Sequence, residues 1–353
     1  MENKQRLNTY RNLNNWHNFR LRLFGEGIIV GLLSGVVVGF FRFALNFVEA
    51  KRVNIYSYLT AHDWTITALW FCALLLTAAV LHFLVAYEPL AAGSGIPQVK
   101  GAILGFFKMH WFRVLWTKLA GGILGIGAGL SLGREGPSIQ LGAMTAQGLS
   151  RFFGRSRMEE RYLLTSGASA GLAAAFNAPL AGVIFSLEEL HHNFSAVVLL
   201  PAMAAALTAT AISQLIFGSA TIFNFLDLPV LTLQYFGLII ILGLILGVFG
   251  TVFNYALINI SKFYQLPFFK NTFLRVGFAL ILAGVLGFYL PEVLGGGSEL
   301  IDTISKNHFP LTVIAILLCC KFIFTMLSYG SGVPGGFFLP MLVIGALAGN
   351  LVG

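Results

Sequence analysis

Charge is what this sequence has least of. Asp, Glu, Lys and Arg together make up 10% of the 353 residues, while hydrophobic types make up 57%. Soluble domains carry roughly one quarter charged residues, so a chain this poor in charge cannot cover a water-facing surface and reads as a membrane protein. Cysteine is also sparse: Cys72, Cys319 and Cys320 all lie inside apolar runs. That pattern suits neither a disulfide frame nor a zinc site. No nucleophile–base pair, nucleotide-binding loop or metal triad is visible, so no enzymatic activity, cofactor or metal is expected. The first 20 residues are polar and lack the apolar core of a removable signal peptide.

The apolar runs are long. Candidate spans cover Gly27 to Val48, Ile66 to Tyr87, Leu115 to Leu132, Val197 to Phe217, Phe236 to Ile258, Leu274 to Leu290, Leu311 to Leu327 and Phe338 to Val352. Several approach the roughly 20 residues that a bilayer core requires. The formal net charge of +8 does not form a nucleic-acid stripe: Lys4, Arg6, Arg11, Arg20 and Arg22 cluster ahead of the first span. The positive-inside tendency then predicts a cytoplasmic N-terminus on a multi-pass protein of the cell membrane. The domain expectation is a basic cytoplasmic segment over 1–23 and a transmembrane domain over 24–353.

Glycine is patterned. Gly27, Gly31, Gly35 and Gly39 recur every four residues, which predicts one smooth helix face for close packing on a neighbour. A second ladder, Gly121, Gly125, Gly129 and Gly133, leads into the stretch GREGP at 133–137.

The chain also repeats itself. Lys118, Gly133, Pro137 and Gly142 are matched by Lys321, Gly336, Pro340 and Gly345, every pair separated by 203 positions. Gly93-Ser-Gly95 falls opposite Gly295-Gly-Gly297, and Phe43-Ala-Leu45 resembles Tyr255-Ala-Leu257. Two halves built on one plan, each with an interrupted helix, is an arrangement in which secondary transporters hold substrate near the bilayer midplane. The first half is expected over about 24–219 and the second over about 230–353. On that offset the second half is incomplete, short by at least about 40 residues.

Three Gly/Pro clusters carry the candidate chemistry. GREGP reads as a chain break followed by a helix start, since Pro137 suits a first turn. An acid at membrane depth, Glu135, at a positive helix end is a candidate gate of an anion site. In GSGIP at 93–97, Ser94 can donate its hydroxyl to an anion, although a plain Gly-Pro turn explains the same residues. In Gly335–Pro340 (GGFFLP), the N–H groups of Phe337 and Phe338 can form an anion-binding nest; a loop with two buried rings is the alternative. Lys118 and Arg134 are expected to supply positive potential around the pore; an ion pair of Arg134 with Glu135 is the alternative, although adjacent side chains on a helix point apart. Glu188 and Glu189 end an apolar helix, where the macrodipole disfavours acids; a solvated helix end at the bilayer surface accounts for Glu188 as well as a functional role does, and a partly buried Glu189 suits a proton relay. His191 and His192 read as interfacial residues.

Together these stretches resemble the CLC family of chloride channels and chloride/proton exchangers, of prokaryotic type. GSGIP, GREGP, GLAAAFNAPLAGVIFSLEE at 171–189 and GGFFLP occur in the family's order, and the likeness runs from about Phe24 to the end. It implies an all-α polytopic fold of broken and tilted helices in inverted repeats, and a homodimer in the lipid bilayer with a pore in each subunit. By this resemblance Ser94 and the amides of Phe337 and Phe338, with Gly336, coordinate chloride. Glu135 is the gating glutamate, and Glu189 matches a position that is acidic in proton-coupled members. Ser94 favours chloride over nitrate, and Arg134 with Ser94 argues against the fluoride-exporting branch. The family's pore tyrosine falls beyond Gly353. Proton/chloride exchange is the expected function; a passive chloride channel and a non-transporting fragment are the alternatives.

Overall fold

The computed structural model describes residues 2–192, 194–219, 236–306 and 309–352, with side chains from Asn18 onward. Lys4, Arg6 and Arg11 of the basic cluster, and the expected start of the second half at 230, therefore lie outside the described side chains and residues.

The described residues form thirteen α-helices: α1 (Glu2–Thr60), α2 (Trp64–Tyr87), α3 (Ile96–Leu104), α4 (Trp111–Gly127), α5 (Glu135–Phe152), α6 (Arg157–Phe176), α7 (Pro179–Phe185), α8 (Ala196–Phe217), α9 (Phe236–Phe263), α10 (Thr272–Tyr289), α11 (Ser298–Lys306), α12 (Leu311–Gly330) and α13 (Phe338–Val352). The fold is all-α and polytopic. Among the described residues, six helices are long and apolar enough to cross a membrane: α1 from Asn18, α2, α8, α9, α10 and α12. The expected span Leu115 to Leu132 is cut short, because α4 ends at Gly127, whereas the shorter expected span Phe338 to Val352 is α13 itself. Helix α1 runs unbroken through position 23, so the boundary expected there is not an element boundary. From Asn18 to Thr60 it has 43 residues, and its apolar run is flanked by charged residues, Arg22 and Glu26 before it and Glu49, Lys51 and Arg52 after it, so at about 1.5 Å per residue the helix extends beyond the apolar layer of a bilayer.

The chain divides into two compact units. The first comprises Met1–Phe41, Ile96–Trp116 and Ser138–Ser219. In it the ladder Gly27, Gly31, Gly35 and Gly39 faces α8, as its period predicts. A Cβ at each would run into Pro201, Thr208 and Ala205, Ala209, and Ile216 respectively. Helix α6 is buried along most of its length and rich in Gly, Ala and Ser. Gly142 of α5 and Gly167 of α6 each lie against the other's backbone carbonyl. Packing this close without bulky side chains is how helices associate where lipid supplies no hydrophobic drive. A capping box, Ser156 with Glu159, starts α6, and Asn177 in a left-handed conformation ends it.

The second unit comprises Arg42–Gly95, Thr117–Pro137 and Ala220–Gly353. Here the offset seen in the sequence recurs in the backbone. The 3₁₀ turn Pro89–Ala91 is matched by Pro291–Val293. Gly93 and Gly295 share φ of 63° and 62°, and Gly95 and Gly297 share 91° and 85°. These pairs sit 202 apart, one fewer than the lysines and prolines, so a single-residue slip reconciles the two offsets. Gly129 at φ 111° and its counterpart Gly332 at 81° stop α4 and α12. The second glycine ladder therefore leaves its helix after Gly125, and Gly129 and Gly133 belong to the break rather than to a packing face.

Candidate functional site

Residues 93–95 and the clusters at 133–137 and 335–340, separate in sequence, meet within the second unit. Gly133 and Gly336 form an antiparallel bridge: the N–H of Gly133 donates to the carbonyl of Gly336 at 2.6 Å, and the reverse bond is 2.8 Å. Gly335 donates to the carbonyl of Gly93 at 2.9 Å. Gly136 lies so near Ser94 that a Cβ there would stand 2.6 Å from the Ser94 carbonyl oxygen. The starts of α5 at Glu135 and α13 at Phe338 are thereby held together with Ser94, which lies two residues ahead of the α3 start. Helix starts carry N–H groups without intrahelical partners and the positive end of the dipole.

Glu135 sits at this meeting point. The residue is 2% exposed, and neither carboxylate oxygen makes a hydrogen bond of normal geometry. Its oxygen Oε2 folds back over Gly133, and a Cβ on Gly336 would come within 3.5 Å of it. The groups that attract the carboxylate are its own backbone N–H, the Arg134 guanidinium and the N–H of Leu339 in the first turn of α13. The carboxylate thus occupies space that Gly133 leaves open and faces peptide dipoles of a kind that favour small anions.

Lys118 was expected to act by charge alone, and its contacts assign it a second task. Fully buried, its ammonium donates to the carbonyls of Ala91 at 2.9 Å and Gly93 at 2.6 Å, directly before Ser94. Lys321 does the same for its own turn, donating to Val293 and Gly295 at 2.8 Å each. Both ammonium groups thus anchor a glycine turn. Arg134 is half-buried and donates to Asn46 at 3.3 Å. Gly336 was expected among the anion ligands, but its N–H donates to the Gly133 carbonyl, so its contribution is to hold the two helix starts together. Phe337 is half-buried with its ring edge-on to Tyr329 at 5.1 Å, and Phe338 is 42% exposed, so two buried rings are not found.

Glu189 belongs to the first unit. It lies on a π-helical segment, Ser186–His191, that continues α7 and ends at His192 in a left-handed conformation. Expected to be partly buried, its side chain is instead 51% exposed and ion-paired with Lys100 at 2.9 Å. His191 bonds Thr165 at 2.9 Å. Sequence reasoning missed Lys100, Leu339 and Tyr329, whose hydroxyl pairs with the Ser94 side chain. Lys100 and Tyr329 carry no motif, and Leu339 acts only through its backbone.

A helical membrane protein with discontinuous helices meeting around a buried acid is of the transporter and channel class. The family profile described as Voltage gated chloride channel matches residues 74–353. The chain belongs to this family. It is 36% identical over 337 residues to the H(+)/Cl(-) exchange transporter ClcA of Vibrio cholerae serotype O1, covering 92% of this chain and 71% of that one. The ClcA exchange transporter of Klebsiella pneumoniae is 34% identical over 334 residues, covering 92% and 70%. Among solved structures, a slow cyanobacterial Cl-/H+ antiporter superposes with TM-score 0.85 at 32% identity, over 92% of this chain and 77% of that one. A CLC-type fluoride/proton antiporter gives 0.74 at 27%, over 92% and 79%.

Proposed function

We propose that this protein exchanges chloride for protons across the cell membrane. The observation that carries the reading is the Glu135 carboxylate, buried against Gly133 and facing the first-turn N–H groups of α5 and α13 without a normal hydrogen bond. A carboxylate and a chloride ion carry the same charge and seek the same positive helix ends. Chloride enters when Glu135 takes up a proton and its side chain leaves; the proton is released when the carboxylate returns. Ser94 and the N–H groups of Phe337 and Phe338 bind the ion, and Arg134 and Lys118 raise the local positive potential. Glu189 passes protons between the cytoplasm and this site, with the N-terminus on the cytoplasmic side. The chain is organised as two halves of one plan and functions as a homodimer. The similarity to an H(+)/Cl(-) exchange transporter and to a Cl-/H+ antiporter supports this reading.

The test is proton movement in liposomes carrying the purified protein. An outward chloride gradient is expected to drive protons inward against their own gradient, the two moving in opposite directions in fixed ratio. Chloride flux with no coupled proton movement would leave a passive channel, and no chloride flux at all would overturn the reading.

A further inference from the structure

Ser94 has one hydroxyl proton, and what it does with that proton depends on a neighbour. The hydroxyl of Tyr329, near the end of α12, is a hydrogen-bond partner of the Ser94 side chain. Its oxygen lies close to the same turn, 3.9 Å from where a Cβ on Gly93 would stand. Three contacts fix this pair. Lys118 and Gly335 both donate to the Gly93 carbonyl, which holds the turn. The Tyr329 ring stands edge-on to Phe337 at 83°, which holds the phenol. Ser94 is 4% exposed, so water does not compete freely for the bond.

Each hydroxyl offers one donor and two acceptor lone pairs. If Ser94 donates to Tyr329, only Ser94 lone pairs remain to face an anion, and the contact is repulsive. If Tyr329 donates to Ser94, the Ser94 O–H can point at the anion, and the two bonds polarise each other in the same direction. An anion beside Ser94 selects the second arrangement.

We infer that Tyr329 is a positioning residue of the anion site: its hydroxyl donates to Ser94 Oγ and so directs the Ser94 O–H towards the bound ion. The inference rests on the proposed role of Ser94 and extends it to a residue without a motif of its own. Tyr329 acts through Ser94, and its effect exists only while Ser94 has a hydroxyl to orient.

The experiment is a double-mutant cycle on chloride affinity, measured by calorimetry on the purified full chain. Tyr329→Phe keeps the ring and its contact with Phe337. It is expected to weaken chloride binding about three- to tenfold, the range for one neutral hydrogen bond. In a Ser94→Ala background the same change is expected to alter affinity by less than about twofold, because nothing is left to orient. The ratio of chloride to nitrate transport is expected to fall in Tyr329→Phe and not to fall further in the double variant. Unchanged or tighter chloride binding in Tyr329→Phe would overturn the inference, since tighter binding means Ser94 had been donating to the phenol. An equal loss in both backgrounds would also overturn it, marking a packing effect. If Ser94→Ala alone leaves affinity unchanged, the anion-site assignment of Ser94 fails, and this inference with it. A loss in Ser94→Ala with none in Tyr329→Phe removes the inference alone.

Discussion

Gly133 and Gly336 hydrogen-bond each other in both directions, at 2.6 and 2.8 Å, and they are the same position in two copies of one sequence pattern. Equivalent residues that pair antiparallel place a local two-fold axis through their bridge. The starts of α5 and α13, which follow these glycines, are brought together by it. One copy continues with Arg134 and Glu135, the other with Phe337 and Phe338. A symmetric frame thus presents a carboxylate from one side and plain backbone from the other.

Glu135→Gln removes the charge that competes for the helix starts and keeps the shape. Chloride flux is expected to persist while coupled proton movement falls to background. Persistent coupling in liposomes carrying this variant would remove Glu135 from the gate.

Gly133→Ala and Gly136→Ala test the two close approaches separately. A Cβ at Gly133 meets the far end of the Glu135 side chain, which can swing away. Chloride flux is therefore expected to survive with coupling reduced several-fold. A Cβ at Gly136 meets the Ser94 carbonyl at 2.6 Å and Ser94 Cβ at 2.9 Å, so backbone must shift. Overpacking of this kind costs about 1–3 kcal/mol. Thermal unfolding in detergent reads the difference: a clearly lowered midpoint for Gly136→Ala and a smaller change for Gly133→Ala.

Lys118→Met and Lys321→Met each leave buried carbonyls without an ammonium donor. Leaving such groups unsatisfied costs about 1–3 kcal/mol each, so both variants are expected to unfold at lower temperature. Gly93 keeps the bond from Gly335, which softens the loss at Lys118. Only Lys118→Met is expected to weaken chloride binding as well, because its turn leads into Ser94. Equal chloride affinity in both variants would contradict that asymmetry.

Glu189→Ala is expected to retain chloride flux and lose coupled proton movement. Its side chain is half-exposed and paired with Lys100, so the fold should tolerate the change. Unchanged coupling would take Glu189 off the proton path.

Much of this arrangement was legible in the chain itself, for a physical reason. Lysine buried on carbonyls, glycine at positive φ and proline in a first helical turn have no close substitutes, so the repeat survives at those positions while the apolar residues between them drift. The offset of 203 between Lys118 and Lys321 and between Gly133 and Gly336 could be read directly, and the backbone recurs at nearly that offset. The four-residue ladder of α1 was equally plain, because a helix face is a local property.

Pairings set by tertiary approach were not legible. Tyr329 and Ser94 are 235 positions apart, and Lys100 and Glu189 are 89 apart, with no spacing rule to connect either pair. The ladder from Gly121 to Gly133 looked continuous, yet Gly129 turns to φ 111° and ends the helix first. Lys118 looked like a pore charge because an isolated cation in an apolar run shows its sign and not its acceptors.

The central claim is that facing helix starts hold a halide that the Glu135 carboxylate displaces. Anomalous diffraction from bromide-soaked crystals of the wild-type protein and of Glu135→Gln tests it most directly. The account predicts one peak beside Ser94 and the N–H groups of Phe337 and Phe338 in both crystals. A second peak is predicted only in the variant, near Gly133 and Gly336 where the carboxylate had been. Well-ordered crystals with no bromide at Ser94, or with the same peaks whether or not residue 135 is acidic, would contradict it.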